Sequence, residues 1–155
     1  MAQEIERKFL TAGDSWKSLV DSSARLQQGY LSTSSKATVR VRIYDGSRAV
    51  LTLKGKQEGI SRAEFEYAIP LEDARELMEM AKPNVIEKRR YKVPYQDHVW
   101  EVDVFEGLHE GLTLAEVEMQ STDEHVPLPP WVGREVSDDD RYANASLSRS
   151  PGVPE

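Results

Sequence analysis

Six stretches of this chain repeat one device: two like charges at positions i and i+2, generally with an apolar residue between them. Acidic pairs are Glu4/Glu6, Glu64/Glu66, Glu101/Asp103 and Glu116/Glu118, and basic pairs are Arg40/Arg42 and Lys88/Arg90. In an extended strand successive side chains point to opposite faces, so each pair lands on one face and its apolar neighbours on the other. Two carboxylates so placed sit roughly 7 Å apart and repel by about 2 kcal/mol at an effective dielectric near 20. The pattern calls for strands whose charged faces meet water, a metal ion or opposite charge.

Taken in order, the alternation predicts eight strands: 4–10, 25–32, 38–44, a fourth carrying Leu51 and Leu53 opposite Thr52, Lys54 and Lys56, then 62–69, 85–93, 99–105 and 113–120. Asp45-Gly46 is a hairpin signal between the third and fourth. Asp14 reads as the N-cap of a short helix through Trp16 and Leu19. Leu71, Ala74, Met78 and Ala81 recur at helical spacing, which predicts an amphipathic helix over 71–81. The proline-rich stretch 127–130 reads as a link to a final helix over 137–147, opened by a capping-box spacing from Ser137 to Asp140. Residues 148–155, with Ser, Pro and Gly, read as a disordered tail to a single domain over 1–147.

Strand by strand, a charged face is most simply a solvated one, as in any antiparallel sheet with one wet side. Six same-sign pairs together point elsewhere, because each costs something where it stands. The economical arrangement turns every charged face into one shared space, and eight antiparallel strands suffice to close a barrel around it. The fold class is therefore mainly β, in α+β form: a closed eight-stranded antiparallel barrel, or tunnel, with a charged lumen, covered by a few helices. Lys8, Arg40, Arg42, Lys54, Lys88 and Arg90 line its cationic side. Glu4, Glu6, Glu64, Glu66, Asp103, Glu116 and Glu118 line its acidic side. Arginines match phosphate oxygens, and carboxylates hold Mg²⁺ or Mn²⁺, which in turn clamp phosphate. A metal-bound chain of phosphates satisfies both sides.

Composition narrows the class of partner. The net charge of −7 over 155 residues opposes a general nucleic-acid binder. No apolar run approaches a membrane span and no secretory leader is evident, so a cytoplasmic location is the default. With no cysteine, thiolate chemistry and Cys-based zinc sites are excluded. Gly55-Lys56 lacks P-loop spacing. Lys88 to Lys92 is split between two faces by alternation, and the three His fall near turns as surface residues. The three Trp read as packing groups.

The ordered set resembles the CYTH superfamily, the triphosphate tunnel metalloenzymes. It comprises Glu4-x-Glu6-x-Lys8, Arg40-x-Arg42, Lys54, Glu64-x-Glu66, Lys88-x-Arg90, Asp103, Glu116-x-Glu118 and Arg141-Tyr142-x-Asn144. The resemblance covers nearly the whole chain and is most similar to short bacterial-type inorganic triphosphatases, whose C-terminal helix plugs one end of the tunnel. It implies a metal-dependent phosphoric anhydride hydrolase that cleaves tripolyphosphate to pyrophosphate and phosphate. Arg40, Arg42, Lys54, Lys88 and Arg90 would then hold phosphate. Glu4, Glu6, Glu116 and Glu118 would bind Mg²⁺ or Mn²⁺, while Glu64, Glu66 and Asp103 would bind a second ion or orient water. Lys8 and Tyr30, beside Glu6, would help activate the attacking water, although Tyr30 reads equally well as a barrel-lining aromatic. The alternatives are a class IV-type adenylate cyclase, a nucleoside or thiamine triphosphatase, and a non-catalytic polyphosphate-binding module. The partner in each case is a small-molecule triphosphate, with no nucleic acid or membrane, and the chain is a monomer or homodimer.

Overall fold

A computed structural model describes residues 3–34 and 36–154. Its strands are β1 (Gln3–Thr11), β2 (Ser22–Thr33), β3 (Ala37–Tyr44), β4 (Arg48–Gly55), β5 (Ser61–Ile69), β6 (Val85–Tyr95), β7 (His98–Glu106), β8 (Thr113–Glu118) and β9 (Val132–Glu135). The helices are α1 (Leu71–Ala81) and α2 (Asn144–Leu147), with 3-10 turns at Ser15–Leu19, Gly107–His109 and Asp140–Tyr142. The strands run in the order β5-β4-β3-β2-β6-β7-β8-β1-β9, and a further β1–β5 pairing closes the first eight into an antiparallel barrel. β1 is the seam. Its first residues pair with β5, Glu6 to Leu10 pair with β8, and Phe9 and Thr11 pair with β9 on the other edge.

Local chemistry accounts for the elements. Asp45 and Gly46 both take positive φ, 52° and 66°, the left-handed backbone that tight hairpins between right-twisted strands require. Helix α1 buries Ala74 and Ala81 against β2, β3 and β4 and carries Glu72, Asp73, Glu76 and Glu79 outward. It lies so close to β2 that a Cβ on Gly29 would stand 2.7 Å from the Ala81 Cβ and 2.9 Å from the Met78 sulfur. A side chain at position 29 would push the helix off the barrel.

The other flank is covered differently from the sequence reading. A few helices were expected to supply the cover. Instead, an irregular segment bearing Val126 and Trp131, followed by the ninth strand, packs over Phe9, Trp100 and Val117. Trp131 meets Trp100 edge-on at 5.7 Å, and Trp100 in turn meets Phe9 at 5.5 Å. The eight-stranded barrel is as expected; the additional β9 was not foreseen, because it has four residues, too few for a period-two signal, directly after prolines that read as a link. Trp131 pins this cover to the barrel. Trp131→Ala is expected to cost about 3–5 kcal/mol and to lower the melting temperature by roughly 10 °C. A thermal melt within about 2 °C of the parent would show that the cover contributes little.

Four smaller expectations change. The Asp14 side chain does not cap the first turn; its backbone carbonyl accepts from Lys17 instead. The helix expected over 137–147 is a 3-10 turn and a four-residue α2, separated by extended Ala143. Ser137 forms no capping box, since its hydroxyl accepts from the Lys8 backbone N–H at 2.9 Å and donates to Glu135. His109 is buried rather than on the surface. Its Nε2 lies 2.6 Å from the Leu147 carbonyl and 2.8 Å from that of Ser150, fastening the C-terminal segment to the β7–β8 connection. Beyond α2, the Gly152 N–H donates to the Leu108 carbonyl at 2.7 Å. All three Trp are buried, as expected. Among the described residues no helix is long and apolar enough to cross a membrane.

Candidate active site

The inward faces of the barrel strands enclose a cavity of about 280 Å³. Every expected cation reaches it: Lys8 from β1, Arg40 and Arg42 from β3, Lys54 from β4, Lys88 and Arg90 from β6. Glu4, Glu6, Glu64, Glu66, Glu116 and Glu118 line it as well, as does Tyr30 from β2. Residues 136–145 lie across one end, contributing Val136, Ser137, Asp140, Ala143, Asn144 and Ala145 to the lining. Lys56 and Lys92 share the parity of lumen residues but lie exposed outside it, because β4 ends at Gly55 and Lys92 sits far along β6.

Asp103 differs from the other carboxylates. It is fully buried behind the cavity wall, and its two oxygens are taken by Lys88 Nζ at 2.6 Å and by Arg90 Nε and Nη2 at 2.8 and 2.9 Å. Burial alone would raise its pKa, but the adjacent charges of Arg90 and Lys88 outweigh that and hold it well below the usual carboxylate range. Unlike the other candidate carboxylates, Asp103 does not line the cavity. Asp103 is a bracket that points two cations into the tunnel.

The cationic wall is held by polar bonds. Burial pushes the Lys88 ammonium down to about 7, with Asp103 pulling it back up and Arg90 and Arg42 repelling it. Arg42 is also lowered by burial and by its neighbours Arg40 and Arg90. It donates through Nε to Gln28 at 2.8 Å and through Nη1 to Tyr44 at 3.2 Å. Arg40 donates to Thr52 at 3.3 Å, while its buried Nε has no partner among the described residues. A buried guanidinium N–H without an acceptor is costly, and a bound anion would relieve it.

On the acidic wall, Lys54 chelates Glu4 at 3.0 and 3.1 Å and reaches Glu64 at 3.3 Å. Burial and the adjacent Glu4 push the Glu64 carboxyl up to about 7, while Lys54 pulls it back down. Burial, with Glu116 and Glu4 close by, raises Glu6 well above its ordinary value. Lys8 sits 3.8 Å from Glu116 and donates to the Tyr142 carbonyl at 3.2 Å. Burial lowers its pKa, but Glu116 and Glu6 more than offset this and leave it raised.

These donors are all hard oxygens in like-charge excess on a wet wall, which fits a Mg²⁺-type cation. Among the described residues no three of His, Asp or Glu converge as a ready-made cage.

Some lining residues were absent from the site read in the sequence. Glu101 pairs with Arg90 at 3.3 Å and Arg62 lines the rim. Each shares strand parity with residues already assigned inward, so the pattern held the signal. Gln28 shares the parity of Tyr30, but an amide carries no charge pattern to mark it.

Comparison with known proteins bears on this architecture. A family model described as the CYTH domain matches residues 2–148. The chain belongs to the CYTH family. This CYTH domain is 43% identical over 152 residues to the inorganic triphosphatase of Acetivibrio thermocellus, covering 97% of this chain and 96% of that protein. It is 38% identical over 152 residues to the inorganic triphosphatase of Nitrosomonas europaea, covering 95% of this chain and 97% of that one. Among solved structures, the inorganic triphosphatase NE1496 superposes with a TM-score of 0.67 at 34% identity, over 98% of this CYTH chain and all of the other. Metal dependence goes with the triphosphate-tunnel members of the family and agrees with the oxygen donor set on the acidic wall.

Proposed function

We propose that the chain is an inorganic triphosphatase that hydrolyses tripolyphosphate to pyrophosphate and phosphate within the tunnel, using Mg²⁺ or Mn²⁺. The observation that carries this is the cavity itself. The five phosphate-matching cations share one cavity with nine carboxylates. The surplus of carboxylates disfavours a module that only binds polyanions. Resemblance to inorganic triphosphatases along the chain supports the choice of substrate.

In this reading Arg40, Arg42, Lys54, Lys88 and Arg90 hold the phosphate oxygens and neutralise charge on the transferring phosphoryl. Glu4, Glu6, Glu116 and Glu118 would hold the cation, with Glu64 and Glu66 serving a second ion or a water. When bound, the cation neutralises phosphate oxygens and orients the chain. Lys8, anchored by the Tyr142 carbonyl, would help orient the attacking water, and Tyr30 lines the same cavity. Water adds in line to a terminal phosphorus and passes a proton to a phosphate oxygen, the bridging P–O bond breaks, and pyrophosphate leaves with the bonding pair. The reaction belongs to the cytoplasm and involves neither nucleic acid nor membrane.

The test is direct. The protein is incubated with Mg²⁺ or Mn²⁺ and either tripolyphosphate or ATP, and phosphate, pyrophosphate and cyclic AMP are measured. Equal phosphate and pyrophosphate from tripolyphosphate, well above any product from ATP, is the expected result. Cyclic AMP with pyrophosphate from ATP, or tight binding without turnover, would overturn it.

A further inference from the structure

Gln28 is fully buried in β2, charged with nothing, and outside every role assigned above, yet it touches three members of the site. Its Oε1 accepts from Arg42 Nε at 2.8 Å, and its Nε2 lies 3.0 Å from the Tyr30 hydroxyl and 3.2 Å from Asn144 Oδ1. Asn144 Oδ1 in turn accepts from Lys88 Nζ at 2.9 Å.

The direction of these bonds follows from chemistry. Arg and Lys side chains have donors only. The atom of Gln28 facing Arg42 must therefore be its oxygen, and the atom of Asn144 facing Lys88 must be its oxygen too. Two cations, one at each end, thus fix both amides against the flip that a lone buried amide leaves open. Gln28 Nε2 is then compelled to face Tyr30, and its two N–H groups are spent on Tyr30 and Asn144. The Tyr30 oxygen accepts a bond, so its single proton must be directed elsewhere. The Tyr30 side chain lines the cavity, and among the described residues its hydroxyl gives no hydrogen bond to another protein group.

We propose that Gln28 is a positioning residue: locked by Arg42 and Asn144, it donates to the Tyr30 oxygen and so turns the Tyr30 proton into the tunnel, as a hydrogen-bond donor to a polyphosphate oxygen. This rests on the tripolyphosphate reading above and adds to it the direction of one proton. It also couples a phosphate-binding arginine to Tyr30, since the amide that seats Arg42 is the one that orients the phenol.

The test is a double-mutant cycle, which isolates the part of an effect that depends on a second residue. Gln28→Glu keeps an oxygen for Arg42 and hence a partner for that buried charge. It replaces the N–H facing Tyr30 by an acceptor, which draws the Tyr30 proton out of the tunnel. Gln28→Met, neutral and of similar length, removes the N–H without adding charge. Each is made alone and in a Tyr30→Phe background. Tripolyphosphate affinity is measured by calorimetry in EDTA, and turnover with Mg²⁺. The expected result is that both Gln28 variants weaken binding about fivefold to tenfold more when Tyr30 is present than in the Tyr30→Phe background, the scale of one hydrogen bond to a charged group. The charge introduced by Gln28→Glu acts in both backgrounds and cancels in this comparison. Losses equal within twofold in the two backgrounds would show that Gln28 acts only through packing, and would overturn the proposal. If the parent binds tripolyphosphate but does not turn it over, the hydrolase reading fails while the binding cycle still decides the role of Gln28. Absence of binding would overturn both.

Discussion

Glu6→Gln is expected to lower turnover of tripolyphosphate at saturating substrate by about 10²–10³-fold, while leaving the ligand-free protein more stable than the parent. The two effects share a cause. Glu6 is half-buried on the tunnel wall, opposite Glu118 in the β1–β8 register, with the charges of Glu116 and Glu4 also close. Without a cation the negative charge there is disfavoured by burial and by those neighbours, and an isosteric amide removes the penalty. A gain on the order of 1 kcal/mol, or roughly 3 °C in melting temperature, is the scale of one relieved contact of this kind. The carboxylate persists despite that cost if it holds a cation during the reaction. Arg40→Ala supplies the contrast, since it removes a phosphate contact from a wall with four other cations and should act more on KM than on turnover. Equal losses of turnover in the two variants would contradict the assignment of Glu6 to metal binding. Steady-state kinetics and calorimetric melts of the same preparations read both halves.

Asp103→Ala should damage the protein in the opposite way. Arg90 would keep its positive charge in the wall without the carboxylate it chelates, and Lys88, already pushed down by burial, would lose the neighbour that pulls its pKa back up. Breaking a buried ion pair by deleting one partner costs about 3–5 kcal/mol, roughly 10 °C in a chain of this size. Tripolyphosphate should recover part of that loss, because the substrate brings oxygens to the same two cations. The melting temperature of the variant should therefore rise more on adding tripolyphosphate than that of the parent does. A variant that melts like the parent, or gains nothing extra from the ligand, would return Asp103 to the carboxylates that face the lumen.

These two acidic residues also show what the sequence could and could not disclose. Period two placed both on inward faces, and that parity was correct for every charged pair within the barrel strands. Alternation says which way a side chain points but nothing about depth. Glu6 opens onto the cavity and Asp103 is sealed behind it because Lys88 and Arg90, one strand over, reach across it. The same limit explains Lys56 and Lys92, which have lumen parity but lie where the strands leave the barrel. Long periodic elements such as α1 were legible to the residue. β9 was not, since four residues between prolines and a turn carry too little pattern, and its pairing with β1 is settled by Trp131 packing from a distance. The final helix failed for a related reason. Ser137 had the spacing of a cap but found a better partner in the Lys8 backbone, and only tertiary contact offers that choice.

β1 carries Glu4, Glu6 and Lys8, yet it hydrogen-bonds to none of its neighbours in sequence. Glu6 lies opposite Glu118, Phe9 opposite both Ala115 and Glu135, and only Gln3 to Ile5 find a nearer partner in β5. Contacts so distant along the chain form late, because loop closure must precede them. As the chain leaves the ribosome, its first strand must therefore wait for the last ones. The acidic wall of the tunnel is completed only after β8 has been made, so a nascent chain that has not reached β8 holds arginines competent to meet a polyanion but lacks the assembled carboxylates needed to act on it.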